Sequence, residues 1–246
     1  MLRLSFQIAK AEFKLRNEGN YLGLLWYLLG PIVTFITLFS IFSTRLGNGI
    51  TNYGPYLMIG LLMFNFFQST TSESAMGILA GGGLLKSINF PRESLIISVI
   101  FKNIFSHIND LVIMLIMLIY LHISLLGVLF VIPFYLLFII FISGTSLVLA
   151  SLQVYINDLN SIWGFATRIL WLATPIFYAI EGQVRLAFFN LFNPIYYFIT
   201  LARQIIIYHT LPEMFIMWGA IGWSFGTLAI GYFVFEKLKP RFAELI

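Results

Sequence analysis

Three ionisable side chains fall inside one strongly apolar stretch: Lys102, His107 and Asp110. On a helix His107 and Asp110 lie three residues apart on one face, so a proton could pass between them. Lys102 is only about 10–12 Å from Leu95 along a helix, near the start of the stretch. A relay needs acids on neighbouring stretches as well, and this is a single cluster, so structural pairing is the favoured reading. A second candidate is Glu73, set in a run of polar residues from Gln68 to Ser74. Such a run is either helix–helix packing through small polar groups or the wall of a hydrophilic channel. A third is GGGLLKS, Gly81–Ser87, which superficially matches a phosphate-binding loop. That loop requires glycine before its lysine, and here Leu85 precedes Lys86 with no strand ahead, so no nucleotide is bound by this motif. Hydrolytic chemistry has no support: His107, His122 and His209 are scattered, and neither GxSxG nor HExxH occurs. Zinc is equally unsupported, and the absence of cysteine excludes disulfides and thiolate metal sites.

The elements that must position these residues are set by composition. The chain is 60% apolar and only 10% charged over 246 residues, against about 25% charged in a soluble domain. Fourteen basic and ten acidic side chains cannot solvate a globule of this size, so most of the surface faces something other than water. The expected fold is therefore an all-α integral membrane protein, one transmembrane domain over residues 1–246 with no inserted soluble domain. Six spans can be drawn, over residues 22–42, 53–80, 95–121, 125–152, 162–178 and 214–235. Gly30-Pro31 should kink the first. Residues 179–211 are apolar and aromatic with a breaker at Asn193-Pro194, which fits two short re-entrant helices before the sixth span.

No cleavable signal peptide is expected, since the first twenty residues lack an apolar core. They instead place Leu4, Ile8, Ala11 and Leu15 on one helical face, with Lys10, Lys14 and Arg16 largely elsewhere, as in a helix lying at the headgroups. With the N-terminus inside, eleven Lys and Arg residues face the cytoplasm and only Arg45, Arg185 and Arg203 face out. That bias puts both termini in the cytoplasm. The segment Gly81–Ser94 is then cytoplasmic too. Three glycines end one span, a short amphipathic turn follows, Pro91 restarts the chain, and Ser94 is available as a cap. A short helix tied rigidly to two spans is a good handle for another protein to push.

Several segments resemble the membrane subunit of ABC-2 type polysaccharide exporters, which move lipid-linked O-antigen, capsule or teichoic-acid polymers. They are YLGLLWYLLGP (Tyr21–Pro31), LLKSINFPRE (Leu84–Glu93), YINDL (Tyr155–Leu159), ATPIFY (Ala173–Tyr178), FNP (Phe192–Pro194) and FEKLKPRFAEL (Phe235–Leu245). Each is weak alone; the ordered set is fairly specific and covers nearly the whole chain. The resemblance implies a homodimer of permease subunits in the inner membrane with two copies of a separate ABC ATPase. ATP and Mg would be bound by that partner, no cofactor by this chain, and no bond chemistry would be done here. The membrane lipid and a lipid-linked glycan are the other implied partners, with no nucleic acid. The coupling helix seated in the ATPase carries over to Leu84, Leu85, Lys86, Ser87, Ile88, Asn89, Phe90, Pro91, Arg92 and Glu93. The loop between spans four and five, at Asn157 and Asp158, also faces the ATPase; relatives often have Arg-Asp there, and a salt bridge from that arginine cannot form in this chain. Spans one and five of two subunits would part to open the channel. The expected path residues are Trp26, Tyr27, Ser69, Thr70, Glu73, Trp171 and Tyr178, although such aromatics also form ordinary interfacial belts. Two rivals stay open: an ABC-2 permease for a drug or simple lipid, and a proton-coupled carrier or membrane enzyme built on Lys102, His107 and Asp110.

Overall fold

Long apolar runs punctuated by proline, glycine and polar clusters fold as helices, because only a helix satisfies every backbone group within its own segment in lipid. The computed structural model describes residues 2–17, 23–47, 49–82, 91–180 and 183–242. Along the chain run α1 (Leu2–Asn17), α2 (Gly23–Phe42), α3 (Tyr53–Ala80), α4 (Glu93–Tyr120) and α5 (Leu126–Gln153). They are followed by α6 (Leu159–Ala173), α7 (Val184–Leu191), α8 (Pro194–Ile206), α9 (Met214–Leu238) and a 3-10 turn at Lys239–Arg241. No strand occurs among the described residues.

Three helical stretches are long and apolar enough to cross a membrane: Glu93–Tyr120, Leu126–Gln153 and Met214–Arg241; Leu29–Phe42 is a shorter apolar stretch. α3 is as long as α4 and α5, at 28 residues each, but its polar half lowers its hydropathy. It is instead the centre of the fold. α2, α4, α5, α6 and α8 all pack on it, and most of its side chains are buried. α5 and α9 approach unusually closely, since a Cβ on Gly144 would strike the backbone of Thr227 and Leu228, and one on Gly231 would strike Gly144 itself.

α2 is one helix with Pro31 inside it. Two boundaries differ from the sequence reading. α4 begins at Glu93, so Ser94 lies inside the helix with a buried side chain, and the capping position, Arg92, makes no side-chain cap. α6 ends at Ala173, not Tyr178, because Pro175 excludes the helical conformation for the residue before it; Thr174 is extended, with φ −77° and ψ 136°. The breaker at Asn193-Pro194 acts as expected. Asn193 caps α8 by accepting from the Ile195 amide at 3.1 Å, and Pro194 takes the first helical turn.

The bundle has two distinguishable ends. One carries α1, the start of α4, the α5–α6 turn and the tail after α9; we call it the terminal end. α7, α8 and the α4–α5 turn lie at the other. A large aromatic core fills the middle and the far end, built around Phe64, Phe67, Phe138, Phe141 and Phe198. A second, separate cluster sits at the terminal end: Ile78, Ile96, Ile100, Ala150, Val154, Phe235 and Phe242.

Candidate functional site

The terminal end holds the residues expected to meet an ATPase. Leu84, Leu85, Lys86, Ser87, Ile88, Asn89 and Phe90 lie outside the described residues. The segment resumes at Pro91, which is exposed. The Arg92 guanidinium donates to the Lys239 carbonyl, and Glu93 pairs with the Lys239 ammonium at 2.8 Å. Asn157 and Asp158 are both exposed at the α5–α6 turn. The turn is shaped from within by Gln153, whose amide donates to the Asn157 carbonyl at 2.9 Å. Asp158 occupies the capping position of α6 without a side-chain cap, which leaves its carboxylate toward solvent.

One helical turn further into the bundle, the ionisable cluster read from the sequence divides in two. Lys102 does not reach Asp110. It lies 3.1 Å from Glu73 on α3 and 3.2 Å from Glu12 on α1, so one ammonium joins three helices. Asn103 supports Glu73 with a further bond of 3.0 Å. Aromatic contacts bring α1 to this level, with Phe6 edge-on to Phe101 and Phe105 and Phe13 edge-on to Phe105. His107 is buried elsewhere, stacked on Phe66 with ring centroids 4.3 Å apart. Its ring nitrogens lie 3.2 Å from Asp110 and 3.0 Å from the Tyr135 hydroxyl. Each member of that group already has its partner within the bundle. This is the pairing arrangement, with no second acid among the described residues bonded to it to take a proton onward.

The polar run of α3 is similarly engaged. Gln68 bonds Thr167 at 3.3 Å and the Trp163 indole donates to Thr71 at 3.0 Å, both on α6. Thr70, an expected path residue, is buried and bonds back to the Phe66 carbonyl. Ser69 is exposed. Ser72 and Glu73 line a cavity of about 420 Å³ whose walls mix Glu12, Ser98 and Lys102 with apolar Met76, Leu95 and Val99, so the run both packs helices and borders an open space. Trp26 and Tyr27 lie in α2, and their side chains are outside the description.

At the far end, α6 gives way to an irregular segment, Thr174 to Tyr178, in which every carbonyl from 175 to 178 has a donor from another element. Arg203 on α8 donates to Pro175 at 2.7 Å, Ile176 at 2.8 Å and Tyr56 at 2.9 and 3.1 Å. Tyr53 donates to Phe177 at 2.9 Å and Tyr56 to Tyr178 at 2.8 Å. Irregular backbone away from water needs such partners. Arg203 is 3% exposed, with its guanidinium carbon 3.4 Å from the Tyr56 ring centroid. Burial pulls its pKa below the ordinary value, yet arginine starts so high that it keeps its charge. Sequence reading treated Arg203 as an outward loop charge; it is the buried pin of this segment. Tyr178, an expected path residue, turns back to bond the Ala173 carbonyl at 2.7 Å. Trp171 is half-buried against Phe177. Beside Arg203 a second cavity of about 610 Å³ opens, lined by Tyr56, Tyr196, Tyr208, Gln204 and Glu213 among others.

This helical bundle, with three helices long and apolar enough to cross a membrane and its inner charges paired, has the build of a multi-pass membrane protein. The pattern of the ABC-2 type transporter family matches residues 3–207, and the chain belongs to that family. It is 25% identical over 252 residues to the O-antigen export system permease protein RfbA of Myxococcus xanthus, covering 99% of this chain and 95% of that protein. The same identity holds over 244 residues to an O-antigen export system permease protein RfbA of Klebsiella pneumoniae, covering 97% and 93%. The sequence resemblance to polysaccharide-export permeases is thus borne out.

Proposed function

We propose that this chain is the channel-forming subunit of an ATP-driven exporter that moves a lipid-linked polysaccharide, of the O-antigen kind, across the inner membrane. The observation that carries this reading is its near full-length likeness to two O-antigen export permeases. In this reading six stretches span the bilayer with both termini cytoplasmic, α7 and α8 lie in the outer leaflet, and the terminal ends of the two protomers together receive two copies of an ABC ATPase. ATP and Mg are bound by that ATPase. Its closure pushes Gly81–Ser94, and α3 and α4 move with it. A second copy of the chain completes the channel along α2 and α6. In support, α6 buries only Thr167 within the protomer, while Ile162, Phe165, Ile169 and Leu172 form an exposed stripe at helical spacing. The carrier reading has less support, because Lys102 pairs with Glu12 and Glu73 and only the His107–Asp110 pair is left of its cluster.

The test is co-purification with the ATPase encoded beside it, followed by reconstitution with lipid-linked glycan. The expected result is a two-plus-two complex that moves glycan only with ATP, and whose turnover changes in Arg92→Ala or Glu93→Ala. A chain that purifies alone and moves no glycan refutes the reading.

A further inference from the structure

The tail after α9 touches both connections that leave the terminal end. Pro240 follows α9 and the chain tightens into a 3-10 turn at Lys239–Arg241, where the last helical carbonyls lack helical donors. The Phe242 amide serves the Lys239 carbonyl, and two side chains add to it. Arg92, from the α3–α4 connection, donates to the Lys239 carbonyl, and Tyr155, from the α5–α6 turn, donates to the Leu238 carbonyl at 3.1 Å. Both sit at the negative end of the α9 dipole, which favours the arginine. The Lys239 ammonium then returns the link, 2.8 Å from Glu93 and 2.8 Å from Glu236.

The apolar contacts follow the same plan. Phe242 is fully buried, edge-on to Tyr155 at 6.5 Å and to Phe235 at 5.6 Å. Its cluster draws Ile78 from α3, Ile96 and Ile100 from α4, Ala150 from α5, and Val154 just beyond it. Among the described residues no hydrogen bond or ion pair joins the two connections directly. Each reaches the tail instead.

We propose that Leu238–Phe242 is a strap that makes the α3–α4 and α5–α6 connections one mechanical unit, with Lys239 and Phe242 as its positioning residues. A push on either connection is delivered to both and to α9. The functional half of this inference rests on the ATPase docking at the terminal end; the mechanical half does not.

The experiment is hydrogen exchange on the full chain in detergent, comparing wild type with Lys239→Glu, Phe242→Ala and Lys239→Arg. Lys239→Glu sets a third carboxylate against Glu93 and Glu236. Loss of charge-assisted bonds should speed exchange about tenfold at the Ser94 and Leu95 amides and, together with them, at Tyr155, Ile156 and Leu159. Phe242→Ala should loosen the same two groups, and Lys239→Arg should match wild type. If Lys239→Glu and Phe242→Ala loosen only residues 94–95 and leave 155–159 as in wild type, the strap is overturned. In proteoliposomes with the ATPase, Lys239→Glu should keep assembly but move at least about fivefold less glycan per ATP. Linked exchange in a wild-type chain that binds no ATPase would uphold the strap and sink the exporter reading.

Discussion

Replacing Arg203 tests whether the far end is held as described. Its guanidinium serves the Tyr56, Pro175 and Ile176 carbonyls. Tyr56 lies in α3 and keeps its helical donor, so Arg203→Met strands two carbonyls. A buried polar group left without a partner costs about 1–3 kcal/mol, so the two together cost about 2–6 kcal/mol. Part is offset, because no carboxylate among the described residues forms an ion pair with this charge and its burial is itself unfavourable. About 3 kcal/mol should remain, which in a chain of this length lowers Tm by about 6–12 °C. Arg203→Lys keeps the charge, but a single ammonium cannot fork across carbonyls from two elements, so it should recover less than half of the loss. The assay is thermal unfolding in detergent followed by tryptophan fluorescence, with limited proteolysis reporting on the Thr174–Tyr178 segment. If Arg203→Lys melts within about 2 °C of wild type, the fork is not what holds the segment, and the reasoning fails.

Gly144→Ala should be worse than an ordinary core change, since its Cβ meets the α9 backbone rather than a side chain that can swing away; we expect about 3 kcal/mol, read as aggregation or a lowered melting point, and an unchanged melt would refute the close approach. Lys102→Met leaves Glu12 and Glu73 without their common partner and should cost about 1–2 kcal/mol, with proteolysis now cutting α1 from the bundle. Glu73→Gln in the same chain should restore part of that protection, and no restoration would mean that the pair does not carry the link. Asp110→Asn should leave glycan moved per ATP unchanged between pH 6 and 8, whereas loss of transport with retained folding would revive proton coupling.

Much of the helical layout was legible because apolar length and breakers are local signals. α3 spans Tyr53–Ala80 as read, and Asn193-Pro194 parts α7 from α8. Pro175 was legible too, yet the apolar Ile176 and Phe177 beyond it drew the expected helix on to Tyr178. The ionisable residues were harder. The pairing of His107 with Asp110 was legible from their spacing of three, but Glu12 and Glu73, which hold Lys102, and Tyr135, which meets His107, stand on other helices, and no spacing rule pairs them. Arg203 and Tyr56 are 147 residues apart, and the groups that Arg203 binds are backbone carbonyls, which leave no mark in a sequence. Glu93 and Lys239 are separated by 146 residues, so the tail contact was equally hidden, although FEKLKPRF itself drew notice.

The length of the central helices has a consequence for how this molecule responds to solvent. At 28 residues each, α3, α4 and α5 are about 42 Å long, against a hydrocarbon core of about 30 Å. The surplus of roughly 12 Å is about eight residues of helix, and Ile78, Ile96, Ile100 and Ala150 all lie within about that distance of the ends of α3, α4 and α5 at the terminal end. In the exporter reading that cluster is a small water-driven core on a lipid-embedded trunk. Apolar burial in water weakens in urea and on cooling, whereas helix packing in lipid has no such drive to lose. Mild urea should melt the strap while the trunk stays folded, so that ATP turnover and transport part company well before the protein unfolds.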